Sequence, residues 1–235
     1  MNEKAYEYLN RNRLHHIDML QSLDRGIADV LYAEEDGVLL YNRPGWVYMF
    51  STESDEAFET MCGLMKDPSV VEIHQTKYMS ALRERYDLVG DMVCWQVAYL
   101  HKTPPEVPVP SGFEIKPLSP DRVEFVAAHY EQEQDIDYLR ERIEAGMLGA
   151  FKDGEPVGFI GTHSEGSMGI LQILPEYQHQ GLGIALEAAM IRFELQKGHI
   201  PYGQLFTNNA RSRCLQEKIG MTFADGNIAW MFKDE

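Results

Sequence analysis

The sequence predicts a mixed α/β protein in which helices cover a sheet of parallel and antiparallel strands. Three observations predict it. Short apolar runs bounded by turn residues recur along the chain, which is a strand pattern. Segments with helical apolar spacing stand between them. A hydrophobic share of 44% over 235 residues is enough to bury real cores. Mixed elements in this order give an α/β or α+β sheet with helices on both faces.

Taken in order, Leu9, Leu14, Ile17, Leu20 and Leu23 predict one helix over about 3–24. ADVLYAEEDGVLLYN predicts a hairpin turning at Glu35-Asp36-Gly37. WVYMF is a strand over 46–50. SDEAFETMCGLMK is a helix over 54–66 with Ser54 as its N-cap. A strand over 70–74, a helix over 77–86 and a strand over 92–100 follow. FEIKPL (113–118) is a strand that ends at Ser119-Pro120-Asp121, where a helix starts. Helices over 121–130 and 135–145 come next. MLGAFKDGEPVGFIGTHS (147–164) is a hairpin turning at Asp153-Gly154. SMGILQIL (167–174) is a strand, 181–197 a helix stopping at Gly198, and YGQLFT (202–207) a strand. A helix over 209–219 and a strand over 227–232 complete the pattern.

The sharpest break is TPPEVPVP (103–110), with four prolines in eight residues. Such a stretch stays extended and continues neither a helix nor a central strand. It predicts an N-terminal lobe over 1–104, a linker over 105–111 and a second domain over 112–235. The two parts share an order of elements: helices, hairpin, strand, helix, strand, helix, strand. Their residues do not visibly repeat, so a duplicated fold and chance similarity both stand at this point.

The formal net charge is −16. That argues against non-specific nucleic-acid binding, which comes largely from Lys and Arg meeting phosphate. No run approaches the roughly 20 apolar residues of a membrane span. The first residues lack the apolar core of a signal peptide. Cys62, Cys94 and Cys214 are widely spaced, neither a disulfide framework nor a metal knuckle. The expectation is a cytoplasmic protein without a metal, as monomer or homodimer. Cys214 is expected to be a core or half-buried thiol.

The stretch ILPEYQHQGLGIALE (173–187) raises a specific question, because Gly181 and Gly183 stand where a helix starts and glycine weakens helices. A helix N-terminus presents unpaired N–H groups and the positive end of the dipole. Glycines leave that front uncovered, so strand, Gly-x-Gly turn and helix together form a phosphate cradle. A P-loop requires Gly-Lys-Ser/Thr, but Ile184 follows Gly183. The dinucleotide fingerprint requires a third glycine where Leu186 stands. Glycines that only let helix and strand pack closely are the competing reading.

The wider pattern Gln178-x-x-Gly181-x-Gly183, after a strand and Pro175, resembles the coenzyme A signature of the GNAT acetyltransferase superfamily. Asn209-x-x-Ser212-x-x-Leu215 followed by Glu217-Lys218-Ile219-Gly220-Met221 is similar to that family's later motif. The element order from 113 to 232 matches too. The N-terminal half would then be a degenerate GNAT-like lobe. The resemblance implies that Gln178, His179, Gln180, Gly181, Leu182, Gly183 and Ile184 hold the pyrophosphate of acetyl-CoA through backbone N–H groups. It implies that the strand parts from its neighbour near Ile173, whose backbone bonds the pantetheine amide. It further implies that the Leu171 N–H donates to the thioester carbonyl and that Asn209 touches the pantetheine. From Glu176 to Lys218 there are five Lys/Arg against four Asp/Glu. Arg211, Arg213 and Lys218 are either partners of a 3′-phosphate or ordinary surface charge, and the second is preferred for any one of them.

The implied reaction is transfer of an acetyl group from acetyl-CoA to the primary amine of a small molecule or peptide. Direct attack in a ternary complex is the expected mechanism. Gln216 stands where many members carry a tyrosine general acid, and Ser167 where they often carry a carboxylate. No catalytic acid or base is therefore named, although His163 and Glu165 lie nearby, Glu165 in a turn. Acidic residues over 121–145 read as a solvated face before they read as an amine site. The corresponding junction of the first half, YMFSTESDEAFE, has Glu53, Asp55 and Glu56 and no glycine. Carboxylates there repel a pyrophosphate. One coenzyme site per chain is expected, in the second half. A non-catalytic acyl-CoA sensor is the alternative, and a protein that binds no nucleotide is the third reading.

Overall fold

The computed structural model describes residues 2–233. The helices are α1 (Asn2–Leu9), α2 (Ile17–Asp24), α3 (Asp55–Leu64), α4 (Met79–Tyr86), α5 (Val123–His129), α6 (Ile136–Glu144), α7 (Leu182–Gln196) and α8 (Ala210–Ile219). The strands are β1 (Ala28–Glu34), β2 (Gly37–Asn42), β3 (Val47–Thr52), β4 (Val70–Ile73), β5 (Gly90–Ala98), β6 (Glu114–Pro117), β7 (Leu148–Lys152), β8 (Glu155–Thr162), β9 (Met168–Ile173), β10 (Tyr202–Phe206), β11 (Thr222–Phe223) and β12 (Ile228–Phe232). The mixed α/β class read from the sequence is the class observed.

These elements form two compact units. One holds the residues up to Ala98, Gln204–Ala210 and those from Phe223 on; the other holds Tyr99–Gly203 and Arg211–Thr222. In the first unit the strand order is β1-β2-β3-β4-β12-β5. β1, β2 and β3 form an antiparallel meander, β3 runs parallel to β4, and β12 lies antiparallel between β4 and β5. Strand side chains alternate between two cores. Leu39, Phe50, Val71, Ile73, Ala229 and Met231 pack with Phe58, Met61 and Leu82 of α3 and α4. Val38, Leu40, Val47 and Met49 pack with Ala5, Leu9, Met19 and Leu20 of α1 and α2.

In the second unit the order is β9-β8-β7-β6, all antiparallel pairs, and Gly203 at the start of β10 pairs parallel with Met168 of β9. Its core joins Val126, Leu139, Ile143, Met147, Phe159 and Ile170. The Pro-rich stretch from 103 to 110 has neither helix nor strand.

Two expectations need correction. The single helix over 3–24 is broken after Leu9 by a 3-10 turn and restarts at Ile17. Across the break the His16 Nδ1 lies 3.0 Å from the Leu9 carbonyl, a group at the end of α1 that a continued helix would have bonded itself. The last strand, assigned by sequence to the second domain, packs instead inside the first unit. Ala229 and Met231 point into a core that Val71 and Ile73 already line, and both edges of β12 are paired.

Ending the chain at Gly226 removes β12 and leaves facing edges of β4 and β5 without partners. Native-state hydrogen exchange at Val71, Ile73 and Val93 is then expected to speed up about tenfold or more. Unchanged exchange would show that β12 does not hold this sheet together.

Candidate functional site

β9 carries the first irregularity of the second unit. Its ladder with β8 pairs Phe159 with Gln172 and Gly161 with Gly169, so β9 holds one extra residue across that step. The bulge centres on Ile170, whose φ is +49°. A β-branched residue in the left-handed region is strained, and such strain is found where a backbone group is being aimed. On the other edge, the ladder with β10 consists of Met168 opposite Gly203. Leu171 follows the bulge directly, and Ile173 ends the strand.

Beyond Ile173 the chain makes one 3-10 turn over Pro175–Tyr177 and enters the glycine loop. Pro175 supplies no N–H and stands where ladder pairing ends. Tyr177 packs edge-on against Phe113, and Lys152 Nζ lies over both rings. Gln178 fastens the loop to its surroundings. Its Nε2 donates to the Ile173 carbonyl at 3.0 Å, and its Oε1 accepts from Arg211 of α8 at 3.3 Å. Gln180 bonds the Glu176 carbonyl, and His179 has φ +61°. His179, Gln180 and Gly181 are exposed.

The two glycines have different reasons. Gly181 is the N-cap of α7, with φ +84° and ψ 0°. A Cβ there would meet only Pro110 Cγ, at 3.6 Å, so the backbone conformation calls for glycine and not crowding. Gly183 has no positive φ, but its Cβ would come within 3.3 Å of Leu215 Cδ1, so its bareness lets α7 pack on α8. No side chain caps α7, and its first turn has no acidic residue. The N–H groups of Leu182, Gly183 and Ile184 thus lack an N-cap acceptor and carry the positive end of a 15-residue helix. Such a front suits an anion.

The start of α3 in the first unit is the opposite. Ser54 Oγ accepts from the Ala57 N–H at 3.2 Å, as its expected cap role requires, and Asp55 and Glu56 occupy the first turn. The protein's own oxygens take the place an outside anion would need.

Two polar groupings of the second unit were not singled out as functional by sequence. Glu165 lies in a turn, as read, yet it is buried, and Ser167 Oγ donates to its carboxylate. Position 167 itself is a serine, and the buried carboxylate beside it comes from two residues earlier. The His163 N–H closes this turn on the Ser167 carbonyl at 2.9 Å, and His163 Nδ1 lies 3.2 Å from the Tyr138 hydroxyl. Gly169 admits the imidazole, since a Cβ there would come 2.5 Å from His163 Nε2. Burial, then the charges of Glu133 and Glu165, pushes the Tyr130 phenol up to about 12. Burial and the Glu165 charge likewise raise Tyr138. Both remain neutral hydroxyls at ordinary pH.

The second grouping joins α7 to α8. Gln216 Nε2 donates to Glu187 Oε1 at 2.7 Å, and both side chains are buried. Burial pushes the Glu187 carboxyl up to about 7, while the Gln216 hydrogen bond pulls the other way. A carboxylate inside the apolar run IALEAAMI was the available sign of this pair.

Asn209 stands just before α8 and belongs to the first unit. Of the three cations considered by sequence, Arg211 holds Gln178 and Arg213 pairs with Glu217 at 2.9 Å. Cys214 is exposed, against expectation, because the buried positions of α8 are Gln216 and Ile219 and Cys214 lies off that stripe. Among the described residues no group of three or more His, Cys, Asp or Glu side chains is placed to hold a metal ion, and no helix is long and apolar enough to cross a membrane.

Residues 147–230 match the family described as FR47-like protein. No curated protein matches the chain in sequence. A crystal structure of a Drosophila protein is 18% identical over 99% of this chain and 95% of its own, with a TM-score of 0.76. A GCN5-related N-acetyltransferase-like protein from Streptococcus suis is 15% identical over 99% of this chain and all of its own length, with a TM-score of 0.56. A GCN5-related N-acetyltransferase from Kribbella flavida is 15% identical over 94% of this chain and 96% of its own, with a TM-score of 0.57.

The Glu187 carboxyl titrates higher in the fold than its ordinary 4.5, so its stability contribution is complete below that pH and is lost as pH rises through about 7. Glu187→Gln stays neutral throughout. The variant is expected to exceed the parent by roughly 3 kcal/mol at pH 8.5 and to differ least at or below pH 4.5, in urea unfolding across pH.

Proposed function

We propose that the chain is a GNAT-type N-acyltransferase that moves an acetyl group from acetyl-CoA to a primary amine of a small molecule or peptide, a reading supported by the FR47-like match over residues 147–230 and by the fold it shares with GCN5-related N-acetyltransferases. The observation that carries this reading is the bare front of α7, placed one short loop after a bulged strand. Coenzyme A is a chain of amides ending in phosphates, so a strand edge followed by a helix N-terminus suits it. The diphosphate docks on the N–H groups of residues 182–184, with Gln178–Gly181 shaping the loop. The pantetheine lies along β9 beyond Met168.

The amine nitrogen attacks the thioester carbonyl carbon. A C–N bond forms, the C–S bond breaks, and the amine loses one proton. The Leu171 N–H, aimed by the bulge at Ile170, stabilises the oxyanion. Glu165, directly or through Ser167, accepts the amine proton. The thiolate takes a proton from water, because a thiol that titrates near 8.5 leaves without help from an acid. This removes the need for a phenol where Gln216 stands. The acidic start of α3 leaves one coenzyme site per chain. A soluble protein working in the cytoplasm as a monomer or homodimer accords with this chemistry.

A second reading, a non-catalytic acyl-CoA sensor, is favoured by one observation. The Gln216 amide is bonded to Glu187, and no phenol replaces it there. Thiol release with a panel of amines separates the two readings. Coenzyme binding without amine-dependent release would favour the sensor.

Gly181→Asp puts a carboxylate at the front of α7, at a position where an aspartate tolerates the left-handed backbone. Acetyl-CoA affinity measured by calorimetry is expected to fall about tenfold or more, while the melting temperature shifts by only a few degrees. The parent is expected to bind one acetyl-CoA per chain. Unchanged affinity in the variant, or two sites in the parent, would contradict the assignment. Glu165→Gln is expected to lower kcat on the order of 100-fold and leave acetyl-CoA binding intact.

A further inference from the structure

The first unit contains a cleft of about 860 Å³ that the proposed acyl chemistry does not use. Small-molecule sites span roughly 300–1,000 Å³. The cleft lies at the carboxyl ends of the parallel strands β3 and β4, the position at which open α/β sheets take ligands. Glu53 and Ser54 follow β3, and His74 follows β4. The break between α1 and α2 brings in His15 and His16, and the turn before β12 brings in Asp225.

Three imidazoles line it, with ring centroids 5.2–5.3 Å apart. Each ring has hydrogen-bond partners inside the protein. His74 Nδ1 faces the Phe50 carbonyl at 3.2 Å, and Nε2 faces the Asp18 carboxylate at 3.1 Å. Burial alone would raise the Asp18 carboxyl, but the His74 charge and hydrogen bonds hold it well below the carboxylate range. His16 is neutral, pushed down to about 3 by burial and the His74 charge; it lies 3.0 Å from the Leu9 carbonyl and 2.8 Å from Ser51 Oγ. Burial and His74 also lower His15. His15 Nε2 lies 3.1 Å from the His74 carbonyl, an acceptor, so Nε2 carries the proton. Nδ1 of neutral His15 is then a lone pair, and it is buried without a protein partner on a side chain only 7% exposed. The cluster is not a metal site, because its other nitrogens are all turned to protein groups.

The charge of the lining has one sign in excess. Lys77 is bound by Glu53, at 3.1 Å through the carboxylate and 3.0 Å through the carbonyl. Arg11 donates to the Glu35 carbonyl at 2.6 Å and lies over the Tyr8 ring. Asp36 accepts from Tyr32 at 2.8 Å. Among the described residues no ion pair neutralises Glu35 or Asp225, and both are exposed at the cleft. Carboxylates at the rim and an unfilled acceptor in the wall call for a ligand that brings donors and positive charge.

We propose that this cleft binds a small aliphatic amine carrying one or two ammonium groups, through the carboxylates of Glu35 and Asp225 at its rim and the imidazole of His15 in its wall. The site lies within one unit and does not depend on acyl transfer elsewhere in the chain.

Calorimetric titration of the full chain without coenzyme tests it, with 1,4-diaminobutane as the probe and 1,4-butanediol and succinate as neutral and anionic counterparts. The diamine is expected to bind once per chain, with both counterparts about tenfold weaker or worse. Glu35→Gln with Asp225→Asn, both at exposed positions, is expected to weaken the diamine about tenfold or more. The ¹⁵N resonance of His15 Nδ1 is expected to move on binding, and Gly181→Asp to leave diamine affinity unchanged. Failure of the diamine to bind, preference for succinate, affinity unchanged in the double variant, a static His15 resonance or loss of binding in Gly181→Asp would each overturn the proposal.

Discussion

A helix that starts on a residue in the left-handed region, with no side chain at its N-cap, leaves its first-turn N–H groups for something outside the helix to satisfy. α7 is such a helix, and the site proposed for the second unit is arranged around its front. Gly181 sets the backbone conformation, Gly183 lets α8 approach, and Gln178 ties the loop to the end of β9 and to Arg211. The bulge at Ile170 aims the strand that feeds this loop. At α3, Ser54 and two carboxylates fill the corresponding front. One local difference, a bare helix start against a capped one, separates two junctions built from the same strand-loop-helix order.

The features that local chemistry decides were legible in the sequence. Ser54 caps α3 because a hydroxyl after a strand and before DEAFE satisfies its own helix. The glycine loop and the hairpin tip at Glu35-Asp36 were legible for the same reason, since positive φ and tight turns narrow the choice of residue. The features that escaped depend on distant neighbours. The pattern NIAWMF announces a strand but not its partners, so β12 was assigned by chain order. Its place between β4 and β5 comes from core shape. The break at Leu9 brings one imidazole to a carbonyl seven residues back, a contact that local periodicity does not announce. Glu165 and Glu187 looked like a turn residue and a helix residue, and only the fold reveals that both are buried.

Burial of polar groups recurs in the first unit. Trp230 of β12 donates to Gln204 at 3.0 Å. Gln204 donates to Glu72 of β4 at 2.7 Å and to Gln96 of β5 at 3.1 Å. Gln96 in turn donates to the His15 carbonyl at 3.0 Å. Apolar residues of the same shape would fill such a row at less desolvation cost, so its connected hydrogen bonds specify register more than they add stability. The row leads to the imidazole cluster and gives the first unit a polar interior of its own, distinct from the acyl chemistry proposed for the second.

Amide hydrogen exchange with and without saturating acetyl-CoA tests the central claim most directly. The account predicts strong slowing at Leu182, Gly183 and Ile184, with Asp55, Glu56 and Ala57 unchanged. Bound coenzyme with unaltered exchange at 182–184, or slowing at the start of α3 in their place, would contradict it.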